Sequence, residues 1–164
     1  MYNIKVATVY DVEDIWTIIE RTWLESSISA LAKSELIKLL NITHSTQRIK
    51  TEIQNNHQRY ILVMEKDFAV AFASYSASQN YPHNFRIHKL YNLPSVEGKG
   101  YNKVLISYIE RLAMDRGCHK LSVVVKENEK KQYFESLGYA ASDNNGSPIA
   151  SETLPGFTMV KILH

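Results

Sequence analysis

The sequence has little of several features that mark specialised classes of protein. Its 164 residues include one cysteine, Cys118, which excludes an intrachain disulfide framework and a cysteine-based zinc site. No apolar run approaches the roughly 20 residues needed to cross a bilayer, and the first residues lack the basic-then-apolar order of a signal peptide. Neither charge dominates, since 19 Lys and Arg balance 17 Asp and Glu. We therefore expect a cytoplasmic protein that binds neither membranes nor nucleic acid.

Apolar residues are plentiful, at 45% of the chain, which is typical of one soluble globular domain. A chain of this length buries roughly two-thirds of its unfolded surface, so its core needs no disulfide or structural metal. The histidines also fit no metal-ligand spacing, and no metal is expected. Because the sequence has no internal repeat, low-complexity tract or linker, we predict a single domain spanning residues 1–164.

Hydrophobic periodicity divides the chain into strands and helices. Strand patterns occupy residues 3–7, 60–64, 68–75, 85–93, 119–125, 139–142 and 157–163. One helical pattern begins after Asp11, and four others cover residues 34–40, 45–55, 101–116 and 127–137. Asp11 is expected to cap the first helix by accepting hydrogen bonds from its free amides. The order of elements predicts an α/β fold with a mixed sheet flanked by helices, in which the helix 101–116 connects two parallel strands.

The most informative segment is LYNLPSVEGKGYNKVLI, residues 90–106, where a strand stops and a long helix opens after two glycines. Glycines let the backbone turn tightly and aim several N–H groups at one point, and the helix N-terminus adds a partial positive charge. The pattern favours an anion site for a pyrophosphate, although a tight turn that binds nothing has the same pattern. It is not a dinucleotide fingerprint, whose third glycine would fall at Lys103, nor a Walker loop.

This run, with LAMDRGCHKLSVVV and QYFESLGY further on, resembles the acetyl-CoA-binding core of the GNAT superfamily of N-acetyltransferases. In that family a strand ending near a proline precedes Arg/Gln-Gly-x-Gly-x-Gly/Ala, and a later helix ends in Tyr-x-x-x-Gly-Phe/Tyr. The resemblance implies the acyl-CoA N-acyltransferase fold, a mostly antiparallel sheet with a splayed central strand. It also implies transfer of an acetyl or short acyl group from acetyl-CoA to a primary amine of a small molecule or a peptide, by direct attack in a ternary complex. Some GNAT-like proteins dimerise, and the sequence leaves a homodimer open.

The resemblance further implies a set of residues that bind acetyl-CoA. The loop and first helical turn would contact the pyrophosphate through Gly98, Lys99, Gly100, Tyr101 and Asn102. The preceding strand would contact the pantetheine arm through Tyr91, Asn92 and Leu93. Asn128 and Phe134, on the later helix, would complete the cofactor site.

Three positions depart from the family pattern. Glu97 stands where the family has Arg or Gln, and its carboxylate would repel a pyrophosphate unless the side chain turns to solvent. Asn102 stands where the family pattern has its third small residue, Gly or Ala. Phe134 occupies the position of the usual general-acid tyrosine, and Tyr133 lies one residue earlier, about 100° around the helix. These departures keep a second interpretation open, a non-catalytic CoA-binding or interaction module.

Acetyl transfer to an amine requires a neutral amine, donors for the developing oxyanion and departure of the thiolate. A shifted helix would bring Tyr133 to the CoA sulfur as the acid that protonates the thiolate; the alternative is a thiolate that leaves without side-chain help. We expect the backbone N–H of Asn92 to serve the oxyanion. His88 is the candidate base, since an imidazole pKa of about 6.5 suits that role. Further candidate bases are Glu25, Glu65 and Tyr75, and an aromatic pocket for the amine is expected from Trp23, Tyr75, Tyr81 and His83.

Overall fold

The computed structural model describes residues 1–25, 33–77, 84–125, 128–141 and 157–163. The strands in these ranges are β1 (Asn3–Val6), β2 (Arg59–Glu65), β3 (Phe68–Ala77), β4 (Phe85–Asn92), β5 (Lys120–Val125), β6 (Ala140–Ala141) and β7 (Phe157–Ile162). The α-helices are α1 (Val12–Glu25), α2 (Lys33–Thr43), α3 (Thr46–Gln54), α4 (Tyr101–Asp115) and α5 (Asn128–Ser136). Every predicted element is present, with bounds shifted by a few residues. Within the described ranges, none of the helices has the length and apolar character to cross a membrane.

The strands form a mixed sheet in the order β1-β2-β3-β4-β5-β7-β6. β1 pairs antiparallel with β2, and β7 pairs antiparallel with both β5 and β6. β4 precedes α4 in the chain and β5 follows it, and the two strands pair in parallel. This confirms the predicted parallel crossover. Their ladder begins at Phe85↔Leu121 and ends at Ile87↔Val123, although β4 continues to Asn92. The residue pairs between the two strands thus lie in the first half of β4.

The chain divides into two compact units, Met1–Ser74 with Lys89–Ser107 and Tyr75–His88 with Tyr108–His164. In the first unit the apolar stripe of α1 packs into a core with α2, α3, β2 and β3. Its fully buried members are Ile15, Ile19, Leu40, Ile49, Leu62 and Phe72. In the second unit α4, β5, α5 and β7 contribute buried side chains that include Ile109, Ala113, Leu121, Val123, Phe134 and Met159, and β3 and β4 add Tyr75, Phe85 and Ile87.

Asp11 does not cap α1 in the way that the sequence predicts. A 3-10 turn, Val9–Asp11, precedes the helix, and Thr8 is the N-cap of that turn. The Asp11 carboxylate reaches back to accept from the Thr8 backbone N–H at 2.8 Å and from Lys5 Nζ at 2.8 Å. The Thr8 hydroxyl in turn accepts from the Tyr10 N–H at 3.3 Å, which completes a reciprocal capping box. The prediction was wrong because a 3-10 turn, Val9–Asp11, leads into α1, so Asp11 is the last residue of that turn and its carboxylate caps back toward Thr8.

We predict that Asp11→Ala lowers the free energy of unfolding at pH 7 by about 1 kcal/mol, the usual effect of losing a capping side chain. Burial raises the pKa of the Asp11 carboxyl, but the hydrogen bonds from Lys5 and Thr8 outweigh it and set the pKa below its ordinary value of 3.8. A carboxyl whose pKa is lowered by folding stabilises above its unfolded pKa. The difference between wild type and variant should therefore shrink as the pH falls below that ordinary value.

Urea unfolding at pH 7 and near pH 3 measures both parts of this prediction. Asp14→Ala is the matched control, because Asp14 is an exposed carboxylate in the first turn of α1. Its loss should cost no more than about 0.5 kcal/mol. Equal stability of the two variants at pH 7 would show that the capping box contributes nothing.

Candidate functional site

The candidate site is centred on the end of β4, beyond the last residue pair with β5. The Leu93 N–H donates to the Val70 carbonyl of β3 at 2.8 Å. Backbone groups of successive strand residues point to opposite sides, so the Asn92 N–H points away from β3. The Asn92 carbonyl accepts from Thr22 Oγ1 of α1 at 3.2 Å. Asn92 thus presents a backbone donor on the side of β4 that faces away from β3.

The Asn92 side chain connects β4 to the following loop and to α4. Its Nδ2 donates to Glu97 Oε2 at 2.8 Å and to the Leu93 carbonyl at 3.0 Å. Its Oδ1 accepts from Asn102 Nδ2 at 3.1 Å. Two of the residues that depart from the family pattern, Glu97 and Asn102, are therefore both bound to one side chain. The Glu97 side chain is exposed, but its carboxylate is held at the end of β4.

The loop after β4 uses several of its own backbone amides. Its first part forms a 3-10 turn, Pro94–Val96. Three N–H groups donate to carbonyls three residues back at 3.0, 3.2 and 3.1 Å, namely those of Val96, Glu97 and Lys99. The Glu97 amide is consequently engaged within the loop.

The two glycines of the loop have conformations that only glycine adopts easily. Gly98 has a φ of +87° and Gly100 a φ of +80°, both in the left-handed region. A Cβ at either position would meet no described atom within 4 Å, so space lies beside the loop backbone. α4 begins next, and Val104 is bonded to the Gly100 carbonyl at 3.1 Å. The amides of residues 101–103 lie in the first turn of α4, before the first hydrogen bond of the helix. First-turn amides have no acceptor within the helix and favour binding of an anion.

Glu65, the last residue of β2, contacts both neighbours of Gly100. Its Oε2 accepts from the Tyr101 hydroxyl and from Lys99 Nζ, the latter at 2.9 Å. These bonds, chiefly the one from Tyr101, set the pKa of the Glu65 carboxyl below its ordinary range. The bond to Glu65 raises the pKa of Tyr101 to about 12. At neutral pH the group is therefore a carboxylate bound by a protonated phenol and an ammonium.

Lys89, in the second half of β4, belongs to a buried polar network. Its ammonium donates to Glu52 Oε1 of α3 at 3.1 Å and to the Tyr60 hydroxyl of β2, while that hydroxyl donates to the same carboxylate at 2.6 Å. Gln58 connects Glu52 Oε2, at 3.0 Å, to Ser74 Oγ, at 2.7 Å. The Lys89 and Glu52 side chains are only 9% and 10% exposed. The network therefore joins this half of β4 to α3 and β2 through a desolvated ion pair.

Tyr91, next to Asn92, packs in a cluster of aromatic rings. Its ring stacks on Phe72 at 5.4 Å, and its hydroxyl accepts from Trp23 Nε1 at 3.4 Å. His44, between α2 and α3, lies edge-on to Trp23 at 5.7 Å and to Tyr91 at 6.4 Å. Trp23 was predicted to lie in an aromatic pocket, whereas His44 and Tyr91 were not predicted as its partners. Trp23 and Tyr91 are 68 residues apart, so no local sequence pattern predicts their contact.

The proposed catalytic side chains lie in the second unit. Tyr133 is half-buried on α5, and burial raises the pKa of its hydroxyl. Phe134 is 3% exposed and its ring lies edge-on to Tyr139 at 5.4 Å. His88 has Nε2 at 2.6 Å from Ser76 Oγ. Phe134 therefore has a packing role, while Tyr133 keeps a protonated hydroxyl at neutral pH.

The remaining predicted residues contribute less to the site. Tyr75 is buried and stacks on Phe85 at 5.8 Å, so it belongs to the core of the second unit. Asn128 begins α5, but its side chain lies outside the described residues, as do Tyr81 and His83. Across the described ranges, His, Cys, Asp and Glu side chains form no group of three that resembles a metal site.

We predict that Lys89→Met lowers the free energy of unfolding by about 3 kcal/mol, because it removes the ammonium 3.1 Å from the buried Glu52 carboxylate and leaves that carboxylate with the exposed and more distant Arg48, at 3.8 Å. The double variant Lys89→Met/Glu52→Gln should recover part of this loss, since neither partner then carries a charge. Urea unfolding at pH 7 provides the measurement. Lys50→Met, at an exposed position of α3, is the matched control and should change stability by less than about 0.5 kcal/mol. A Lys89 variant as stable as this control would contradict the assignment.

Comparison with known proteins agrees with this geometry. A family model described as the acetyltransferase (GNAT) family matches residues 16–139. A search of curated proteins gives no match. Among solved structures, the PaiA N-acetyltransferase from Thermoplasma acidophilum, in complex with coenzyme A, is similar with a TM-score of 0.81 and 15% identity, over 99% of each chain.

Two other solved structures are similar over almost their whole length. A GCN5-related N-acetyltransferase from Rhodopseudomonas palustris gives a TM-score of 0.75 at 22% identity, over 98% of this chain and 95% of that one. The ribosomal-protein-S18-alanine N-acetyltransferase from Escherichia coli gives 0.68 at 14% identity, over 99% and 94%. At these identities the similarity establishes the fold. Because the family model covers most of the chain and the fold agrees with it, the chain belongs to the GNAT family of acetyltransferases.

Proposed function

We propose that this chain transfers an acetyl or other short acyl group from acetyl-CoA to a primary amine of a small molecule or a peptide. Residues 1–164 would act as one catalytic domain, by direct attack in a ternary complex. The observation that carries the proposal is the loop before α4, where two left-handed glycines border open space next to the first-turn amides. Membership of the GNAT family supports acetyl-CoA as the donor, and the similar Thermoplasma structure contains coenzyme A.

The backbone of the loop fits a pyrophosphate better than its side chains do. The amides of residues 101–103 can donate to phosphate oxygens, and hydrogen bonds to a charged group contribute about 1.5–3 kcal/mol each. The exposed carboxylate of Glu97 opposes the anion, but an exposed charge pair is worth only about 0.2–1 kcal/mol. Lys99, on the same loop, is paired with the Glu65 carboxylate and adds little net charge. We infer that the amides outweigh Glu97 and that this residue weakens binding without preventing it.

The chain would contribute three functions to the reaction, while acetyl-CoA supplies the activated thioester. The Asn92 N–H, which points away from β3, is the proposed donor to the oxygen that gains negative charge. His88 is the proposed base, and its contact with Ser76 Oγ orients the ring. Tyr133 is the proposed acid, because its raised pKa keeps a proton on the hydroxyl for a departing thiolate. The amine acceptor is proposed to bind beside Trp23 and Tyr91.

We predict that acetyl-CoA raises the midpoint of thermal unfolding. A ligand at about 100 times its dissociation constant adds about 2.7 kcal/mol of stability, a shift of several degrees for a chain of this size. Adenosine should give no shift. Gly100→Val should remove most of the acetyl-CoA shift, because it places a branched side chain in the space beside the loop. Gly117→Val is the matched control: Gly117 also has a left-handed φ, of +74°, and open space around it, but it ends α4.

Comparison of the wild type with Gly100→Val and Gly117→Val distinguishes loss of acetyl-CoA binding from loss of stability. Both valine variants should melt at lower temperature without ligand, because both strain the backbone. Only Gly100→Val should lose the response to acetyl-CoA. A full shift in that variant would contradict the loop assignment, and no shift in the wild type would contradict CoA binding.

We predict that Tyr133→Phe lowers kcat by about 100-fold, the lower end of the usual effect of a general acid, and leaves KM for acetyl-CoA unchanged. The rate is measured as thiol release with the best acceptor from a panel of diamines, amino-acid amides and short peptides. Tyr108→Phe, in α4, is the matched control and should keep the wild-type kcat. If Tyr133→Phe turns over at the wild-type rate, the thiolate leaves without help from this residue.

A non-catalytic CoA-binding or interaction module is the second candidate function. Two observations favour it: Phe134 is packed against Tyr139 at the family's acid position, and Glu97 is bound to the Asn92 side chain. A thermal shift with acetyl-CoA but no thiol release on any amine of the panel would support this alternative. Thiol release that depends on an amine would exclude it.

A further inference from the structure

Glu65 lies outside the sequence motif that marks the loop, yet it contacts the residues on both sides of Gly100. Its single oxygen Oε2 accepts from the Tyr101 hydroxyl and from Lys99 Nζ. The Glu65 side chain is 27% exposed, and it comes from β2, next to the turn into β3. The carboxylate therefore connects the glycine loop to a hairpin that contributes no residue to the motif.

The loop has few other side chains that could fix its conformation. Val96 and Tyr101, on either side of the glycines, are 5% and 7% exposed. Between them, Gly98 and Gly100 have no side chain, and glycine loses more conformational freedom on ordering than any other residue. Lys99 is 52% exposed and is held by Glu65. Besides the backbone bonds of the Lys99 N–H and the Gly100 carbonyl, the segment from Gly98 to Tyr101 is therefore held by the bonds of Lys99 and Tyr101 to this carboxylate.

We propose that Glu65 is a positioning residue for acyl-CoA: its bonds to Lys99 and Tyr101 hold the loop in the conformation that receives the pyrophosphate. The inference rests on the proposed function, because it assumes that this loop binds the phosphates of CoA. It assigns part of the affinity for acyl-CoA to a residue of β2 that need not touch the ligand. Glu65 was a candidate base, and this geometry gives it a different role.

The charge of Glu65 and its hydrogen bonds act on binding in opposite directions. A carboxylate near a phosphate repels it, so loss of the charge alone should tighten binding. Loss of the hydrogen bonds leaves the loop less ordered in the free protein. Binding must then order the loop, and this cost lowers the affinity for the ligand. Glu65→Gln removes the charge but keeps an acceptor oxygen of the same reach, whereas Glu65→Ala removes both. The difference between these two variants therefore isolates the positioning effect.

The test is isothermal titration of CoA into wild type, Glu65→Gln and Glu65→Ala, using the full chain at fixed salt. We expect Glu65→Gln to bind CoA at least as tightly as wild type, and Glu65→Ala to bind about fivefold more weakly than Glu65→Gln, as partly exposed charge-assisted hydrogen bonds would give. Asp67→Ala is the matched control, because it removes a carboxylate from the exposed turn after β2. It should bind CoA as wild type does or more tightly.

A second ligand separates loop positioning from general loss of structure. Pantetheine has no phosphate, so its binding, followed by ligand-observed NMR, should be the same in all these proteins. Tyr101→Phe provides an independent variant that keeps the ring and removes one of the two bonds to Glu65. It should weaken binding of CoA, less than Glu65→Ala does, and leave binding of pantetheine unchanged.

Three results would overturn the proposal. Equal affinity of Glu65→Ala and Glu65→Gln for CoA would show that Glu65 acts by charge alone. Equal losses for CoA and pantetheine would show a structural defect that is not specific to the loop. A wild type that binds no CoA would refute the proposed function and this inference with it, and that failure is recognised before any variant is tested.

Discussion

The arrangement of the site depends on how early the β4–β5 ladder ends. After Ile87 the second half of β4 no longer has β5 as a hydrogen-bonding partner. Backbone groups that leave a sheet need other partners, because burying them unpaired costs free energy. Thr22 meets the Asn92 carbonyl, and the buried Lys89–Glu52 pair holds the strand from its side-chain face. The Asn92 N–H remains directed away from β3.

Charged side chains around the loop are paired with partners in the same unit. Lys99 is bound to Glu65, and Glu97 to the Asn92 amide. Exposed pairs of this kind contribute little free energy, and their fields largely cancel. Attraction for an anion near α4 must therefore come mainly from backbone amides and the helix N-terminus. This agrees with a chain whose positive and negative residues are nearly equal in number.

The sequence predicted those parts of the structure that depend on neighbouring residues. The stripe of α1, the extent of α4 and the two glycines before it follow from local periodicity and from the φ values that glycine permits. It did not predict the contacts that hold the site, because Glu65 and Tyr101 are 36 residues apart and Glu52 and Lys89 are 37 apart. Such pairs are set by strand register and helix packing. Asp11 was misplaced for a local reason, the extra turn before α1.

The left-handed glycines and first-turn amides of the loop have a consequence for sequence divergence. A ligand held by main-chain N–H groups constrains φ and ψ, while most side chains at the same positions can be exchanged as long as the backbone path survives. Substitutions such as Glu97 and Asn102 can then accumulate in a motif whose geometry is kept. In such a site the recognition chemistry is carried by the shape of the chain, and residue-by-residue comparison detects little of it.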